Sequence, residues 1–128
     1  MSAATSAVYQ QQLEHQPASP SGVVVARAEA YLRARLETPV PVSQLSHAVG
    51  ISERGLRRAF QHVYGTSPKR FMLTERLWAA HRALREHSSD SVTQIAVCYG
   101  FCELGRFAGS YRKIFGETPS DTRRNNRR

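Results

Sequence analysis

Two stretches of this chain are copies of one pattern. Residues 42–68 read VSQLSHAVGISERGLRRAFQHVYGTSP, and residues 92–119 read VTQIAVCYGFCELGRFAGSYRKIFGETP. Both open on a valine followed by a hydroxyl residue, and both reach a glycine eight residues later (Gly50, Gly100). An apolar residue follows each glycine (Ile51, Phe101), and each copy closes on glycine-x-x-proline (Gly65 and Pro68, Gly116 and Pro119). The offset is 50 residues as far as Gly100 and 51 from Phe107 onward, which places one inserted residue early in the second copy's last helix. Self-similarity of this kind marks a duplicated supersecondary unit, and it restricts the fold more than any other feature of the chain.

Local chemistry says what the unit is. Ser43 is the expected N-cap of a short helix with Leu45, Ala48 and Val49 facing inward. Gly50 supplies the positive φ that a tight interhelical turn needs. Ser52 then caps a second helix, ERGLRRAFQHVY, whose inward residues are Leu56, Phe60 and Val63. Two helices joined by such a turn form a helix-turn-helix. Ala96, Gly100 and Phe107 serve the same purposes in the second copy, which Ser91 starts.

The remaining segments arrange themselves around the pair. Residues 1–21, rich in Ala, Ser, Gln and Pro, bury too little apolar surface to order themselves and read as a flexible tail or interdomain linker. The folded domain is expected over residues 22–125. Its first helix covers 23–36, with Val24, Ala28, Tyr31, Leu32 and Leu36 on one stripe, ended by Thr38 and Pro39. The first helix-turn-helix spans 42–64 and the second 91–115. Between them Ser67 and Pro68 start a linker helix that runs to 86. SDTRRNNRR after Pro119 reads as a frayed basic end, with 126–128 as its tail. The fold class is all-α: two helix-turn-helix subdomains joined by a long linker helix, about seven helices in total.

Charge narrows the function. The net charge is +8, and fifteen of the eighteen Lys and Arg lie from Arg54 onward, among the helical patterns. That bias favours nucleic acid, the plain alternative being a generically soluble basic protein. No run of 18 apolar residues occurs, so no membrane span is expected. The first residues lack a basic and an apolar signal region, and two cysteines form no framework, which together imply the cytoplasm. His-Glu-x-x-His, Gly-x-Ser-x-Gly, Walker A and dinucleotide fingerprints are all missing, as is a four-ligand zinc spacing. No enzyme activity, cofactor or metal is therefore expected.

Burying Leu56, Ala59, Phe60 and Val63 leaves Arg54, Arg57, Arg58 and Gln61 on the outward arc of the second helix. Clustered guanidiniums repel unless an anion neutralises them, and arginine matches the O6 and N7 edge of guanine. A solvated charge face is the plain alternative, and Arg58 could instead pair with Glu53. In the second copy the expected helix, 103–115, buries Phe107, Tyr111 and Phe115, with Leu104 near its start. Arg106 faces outward toward a base or phosphate. Arg112 and Lys113 suit phosphates, or simply the C-terminal end of the helix. The helix starts at Ser43 and Ser91 are candidate phosphate contacts, because unpaired N–H groups there favour anions.

Paired helix-turn-helix units joined by one helix, closed by Gly-Thr-Ser-Pro and Gly-Glu-Thr-Pro-Ser, resemble the AraC/XylS family of bacterial transcription regulators. The match covers about residues 23–124. The resemblance implies a seven-helix DNA-binding domain whose two recognition helices enter successive major-groove segments of a promoter or operator, and because the two units differ in sequence the site is expected to be asymmetric. It implies groove-facing positions at Arg54, Arg57 and Arg58 and at Gly105, Arg106 and Gly109. The glycines depart from the family, where these positions are often polar, so the first unit is expected to supply specificity and the second mainly grip. RNA polymerase is the expected protein partner, and no effector ligand is expected to bind within this chain. The competing reading is an interaction module whose basic face binds an acidic protein, with only nonspecific DNA contact. Cys98 is expected to pack as a small hydrophobe and Cys102 to replace a capping serine, with a redox switch as the alternative.

Overall fold

The computed structural model describes residues 19–86 and 89–126, and among them it contains seven helices and no strand. In chain order these are α1 (Pro20–Arg33), α2 (Val42–Val49), α3 (Glu53–Tyr64), α4 (Pro68–Arg85), α5 (Val92–Cys98), α6 (Leu104–Phe115) and α7 (Pro119–Asn126). They form two compact units. One groups residues up to Arg35 with Pro39–Leu73, the other Leu36–Thr38 with the chain from Thr74. The helix α4 contributes its start to the first unit and the rest to the second.

In the first unit, α1 begins three residues before the expected start. Ser19 Oγ accepts the Gly22 N–H at 2.9 Å and Pro20 takes the first helical position, so a proline expected in the tail is the helix start. The inward stripe is Val25, Ala28 and Leu32, with Val24 and Tyr31 only partly covered. Glu29 lies on the same stripe and is buried, a placement that needs compensation. It receives two partners: the Tyr64 hydroxyl donates to it, and Arg33 pairs with it one turn on. The helix ends at Arg33, well short of Leu36, because Ala34 and Arg35 close the last turn through Ala30 and Leu32 carbonyls.

Three further helices complete this core. The N-cap of α2 is Pro41, without a side-chain cap bond, so Ser43 does not cap. It sits exposed inside the first turn, where its carbonyl accepts the Ser46 hydroxyl at 2.9 Å. Leu45 and Ser46 are buried while Ala48, expected inward, is exposed. Gly50 (φ 81°) turns the chain, and Ser52 caps α3 by accepting the Gly55 N–H at 3.0 Å. Leu56, Ala59, Phe60 and Val63 pack against α1 as the spacing requires. Phe71 at the start of α4 stacks on Tyr64 at 5.0 Å and meets Phe60 at 5.3 Å, geometry that aromatic rings favour.

The second unit is built around aromatic rings. Leu77, Ala80 and Leu84 of α4, and Ile95, Ala96, Phe107 and Tyr111 of α5 and α6, are buried in its interior. Phe115 lies flat on His81 at 4.1 Å and edge-on to Trp78 at 5.2 Å. Arg76 donates to the Thr38 carbonyl at 2.9 Å, inside this same unit, and burial lowers its pKa. Ser91 caps α5 with a reciprocal capping box, its Oγ accepting from Gln94 N–H while the Gln94 side chain accepts the Ser91 N–H.

The segment after Pro119 is not frayed as far as Asn126. It is α7, with Thr122 and Arg123 buried. Thr118 and Asp121 cap it reciprocally at 3.1 Å in both directions, and the Thr118 N–H holds the Asp121 carboxyl below its ordinary pKa. Thr118-Pro119 is the same start signal as Ser67-Pro68, so the start of this helix is marked in the sequence.

A buried relay ties α4, α6 and α7 together. The Tyr111 hydroxyl donates to Thr122 Oγ1 at 2.7 Å, and Thr122 donates to Glu117. With its single proton so used, Tyr111 accepts from His81 Nδ1 at 2.7 Å, which fixes the neutral Nδ1–H tautomer. Burial pushes the Tyr111 hydroxyl up to about 12. Burial also lowers His81, helped by Arg85 and Arg82 and opposed by Glu117. Because the folded value lies below the ordinary 6.5, the unfolded chain binds the proton first as pH falls. Stability is therefore expected to be level above pH 6.5 and to decline below it. Urea melts from pH 7.5 to 5.5 should show this decline flattened in His81→Gln, and identical profiles would contradict it.

Candidate nucleic-acid interface

The outward face of α3 carries the expected cluster. Arg54, Arg57, Arg58 and Gln61 are all exposed, on the side opposite Leu56 and Phe60. Arg57, not Arg58, reaches Glu53, at 3.2 Å between exposed side chains. Such a surface pair contributes on the order of 0–1 kcal/mol and can open for a better anion. Arg54 and Arg58 make no ion pair among the described residues, so two uncompensated guanidiniums stand one turn apart. Gly55 has a packing reason: a Cβ there would meet Ile51 Cγ1 at 2.8 Å.

Both second helices contain twelve residues and start 51 apart, at Glu53 and Leu104. The turns before them still correspond at 50, with Ile51 N–H bonded to Ser46 O and Phe101 N–H to Ala96 O. The inserted residue therefore lies in the second turn and not in the helix, because lengthening α6 would rotate Phe107 and Tyr111 off the core. Glu103 becomes the N-cap, without a side-chain cap bond, and α6 starts one residue later than expected.

This register pairs Gly105 with Arg54 and Gly109 with Arg58. Neither glycine has a positive φ, and a Cβ at either would meet nothing within 4 Å. Nothing in the described chain requires glycine there, although each weakens the helix by roughly 0.5–1 kcal/mol relative to alanine. Arg106 beside them is 85% exposed and lies 3.4 Å from Glu103, while Arg112 and Lys113 are exposed in the last turn. Ser91 is exposed at the start of α5.

Three sequence expectations for this region change. Leu104 is not inward but 42% exposed. It falls three residues before Phe107, yet Cα–Cβ bonds tilt toward a helix N-terminus, so the first residue leans past the core it would join. Cys98 is exposed, since Ile95 and Ala96 take the inward places of α5, and Cys102 is exposed beside a cap position that Glu103 occupies. Of the tails expected at 1–21 and 126–128, residues 1–18 and 127–128 lie outside the described residues. Among those residues no group of three or more His, Cys, Asp or Glu side chains could hold a metal, and no helix is long and apolar enough to cross a membrane.

Comparison with known proteins places this geometry. Residues 45–125 match the family model described as a helix-turn-helix domain. A probable thc operon regulatory protein of Rhodococcus erythropolis is 39% identical over 110 residues, covering 84% of this chain and 32% of that protein. The chain spans about a third of the length of the first curated relatives it matches. Among solved structures, an AraC-type transcriptional regulator from Chromobacterium violaceum is 31% identical with a TM-score of 0.78, over 83% of this chain and 94% of that one. The DNA-binding domain of AdpA, a global transcriptional factor solved in complex with a target DNA, is 30% identical with a TM-score of 0.70, over 86% and 95%. With seven helices among the described residues, two helix-turn-helix units and these matches, the chain belongs to the AraC/XylS family of helix-turn-helix proteins.

Proposed function

We propose that this chain is the DNA-binding domain of a cytoplasmic transcription regulator, recognising an asymmetric duplex site through α3 and α6 in successive major-groove segments. The observation that carries the reading is the α3 face, where Arg54 and Arg58 stand exposed, without an acidic partner among the described residues, on the second helix of a helix-turn-helix. The likeness to a domain solved on its target DNA supports it. Asymmetry follows from the pairing of Arg54 and Arg58 with Gly105 and Gly109: the first unit supplies most of the side chains that read bases, and the second contributes mainly grip through Arg106, Arg112 and Lys113. Ser43 and Ser91 lie exposed in or at the first turns of α2 and α5 and serve as the phosphate contacts. The domain comprises residues 22–125 together with the helix start at Pro20, RNA polymerase is its protein partner, and effector sensing lies outside it.

In vitro selection of bound duplex tests the reading. A consensus with unequal halves is expected, and binding to it should weaken about 10³-fold between 50 and 200 mM salt if about six phosphates are neutralised. Equal affinity for selected and random duplex, with tight binding to an acidic protein, would replace this function with that of an interaction module.

A further inference from the structure

We infer that Leu104 reads a thymine in the second half of the site by packing on its C5-methyl group. The inference rests on the DNA-binding function proposed above and names the base chemistry that α6 recognises. Leu104 is the first residue of the second recognition helix and one of three large hydrophobic side chains exposed among the described residues. In helix-turn-helix complexes the N-terminal residues of that helix meet the base edges. In the major groove only thymine offers a methyl group, and apolar side chains are its natural contact. Val23 and Val97, the other exposed hydrophobics, lie on α1 and α5.

Surroundings select the same ligand. The next outward positions, Gly105 and Gly109, carry no side chain and have open space where a Cβ would stand. Neither can donate or accept through a side chain, so hydrogen-bond readout on this face falls to Arg106 alone, which lies 3.4 Å from Glu103 in an exposed pair. A helix surface without side chains lets the backbone approach the groove closely, which brings the short reach of Leu104 to the methyl plane. The first copy has Glu53 where the second has Leu104, so the two units differ at this position in kind: a carboxylate held by Arg57 in one, an exposed alkyl group in the other.

The test uses the duplex obtained by selection and replaces each thymine of the second half by deoxyuridine, which removes only the methyl group. One such replacement is expected to weaken binding of the unaltered protein about fourfold, the loss of one buried methyl. Leu104→Ala should bind the thymine duplex with a similar loss and should be indifferent to deoxyuridine at that position. Its thermal unfolding should match that of the unaltered protein, because the side chain is not in the core. No sensitive thymine, or sensitivity undiminished in Leu104→Ala, overturns the assignment while leaving specific DNA binding intact. Failure to select any preferred duplex overturns the proposed function, and this inference with it.

Discussion

Arg54→Ala and Arg58→Ala should each weaken binding to the selected duplex about 5- to 150-fold, the range expected for removing one bidentate arginine–guanine contact. Both side chains are exposed on α3 without an acid partner among the described residues, so their removal leaves the fold unchanged and isolates the recognition term. Arg57→Ala should cost less, since its charge is partly offset by Glu53 at 3.2 Å and binding must first open that pair. The diagnostic is the ratio of specific to random affinity. An arginine that reads a base lowers this ratio, whereas a phosphate contact such as Arg112 or Lys113 weakens both affinities together and reduces the salt slope by about one. Gel-shift titrations of both duplexes at two salt concentrations separate the cases. If Arg54→Ala and Arg58→Ala left the ratio unaltered, α3 would not be the reading helix.

Phe107→Ala should be the most destabilising simple truncation in the second unit. The ring is 2% exposed and packs on Phe101 at 4.7 Å and Tyr111 at 5.7 Å. Loss of such a side chain costs about 3–5 kcal/mol, against a typical domain stability of about 5–15 kcal/mol. Urea denaturation followed by far-ultraviolet circular dichroism should show the shift. Leu104→Ala, three residues earlier on the same apparent stripe, should move stability by no more than about 0.5 kcal/mol because it lies outside the core. Comparable losses for the two would mean that α6 packs through its first turn after all.

The contrast between Phe107 and Leu104 shows how far the chain could be understood from its residues. Periodicity assigns both to one face, and that face is real: Phe107 and Tyr111 are buried. Periodicity does not say where a core ends, so it carried the stripe one turn too far. The same limit explains Ser43, a good capping residue by type, which lies inside a helix that Pro41 starts. It also explains the register of α1, where Val25 and not Val24 faces inward because the stripe must also place Glu29 against Tyr64.

Local signals fared best where the chemistry is strong and self-contained. Positive-φ glycines at Gly50, Gly65, Gly100 and Gly116, the caps at Ser52, Ser67 and Ser91, and the exposed arginines of α3 all stand where their residue types place them. The same chemistry announced α7 through Thr118 and Pro119, but a basic, polar composition concealed it. That helix is held by Thr122 reaching the Tyr111 hydroxyl eleven residues back, a partner that composition does not reveal.

By itself, then, the sequence determined that the chain is a duplicated helix-turn-helix, which residues turn each copy, and which face of α3 carries charge. Those features depend on backbone conformation and on spacing within a few residues. Tertiary structure alone decided where the extra residue of the second copy goes, that Leu104 is exposed, and that His81, Tyr111 and Thr122 form one relay. Each of these is a competition for a shared core between segments distant in sequence, and packing settles it: the insertion falls in the turn because the rings of α6 must keep their places.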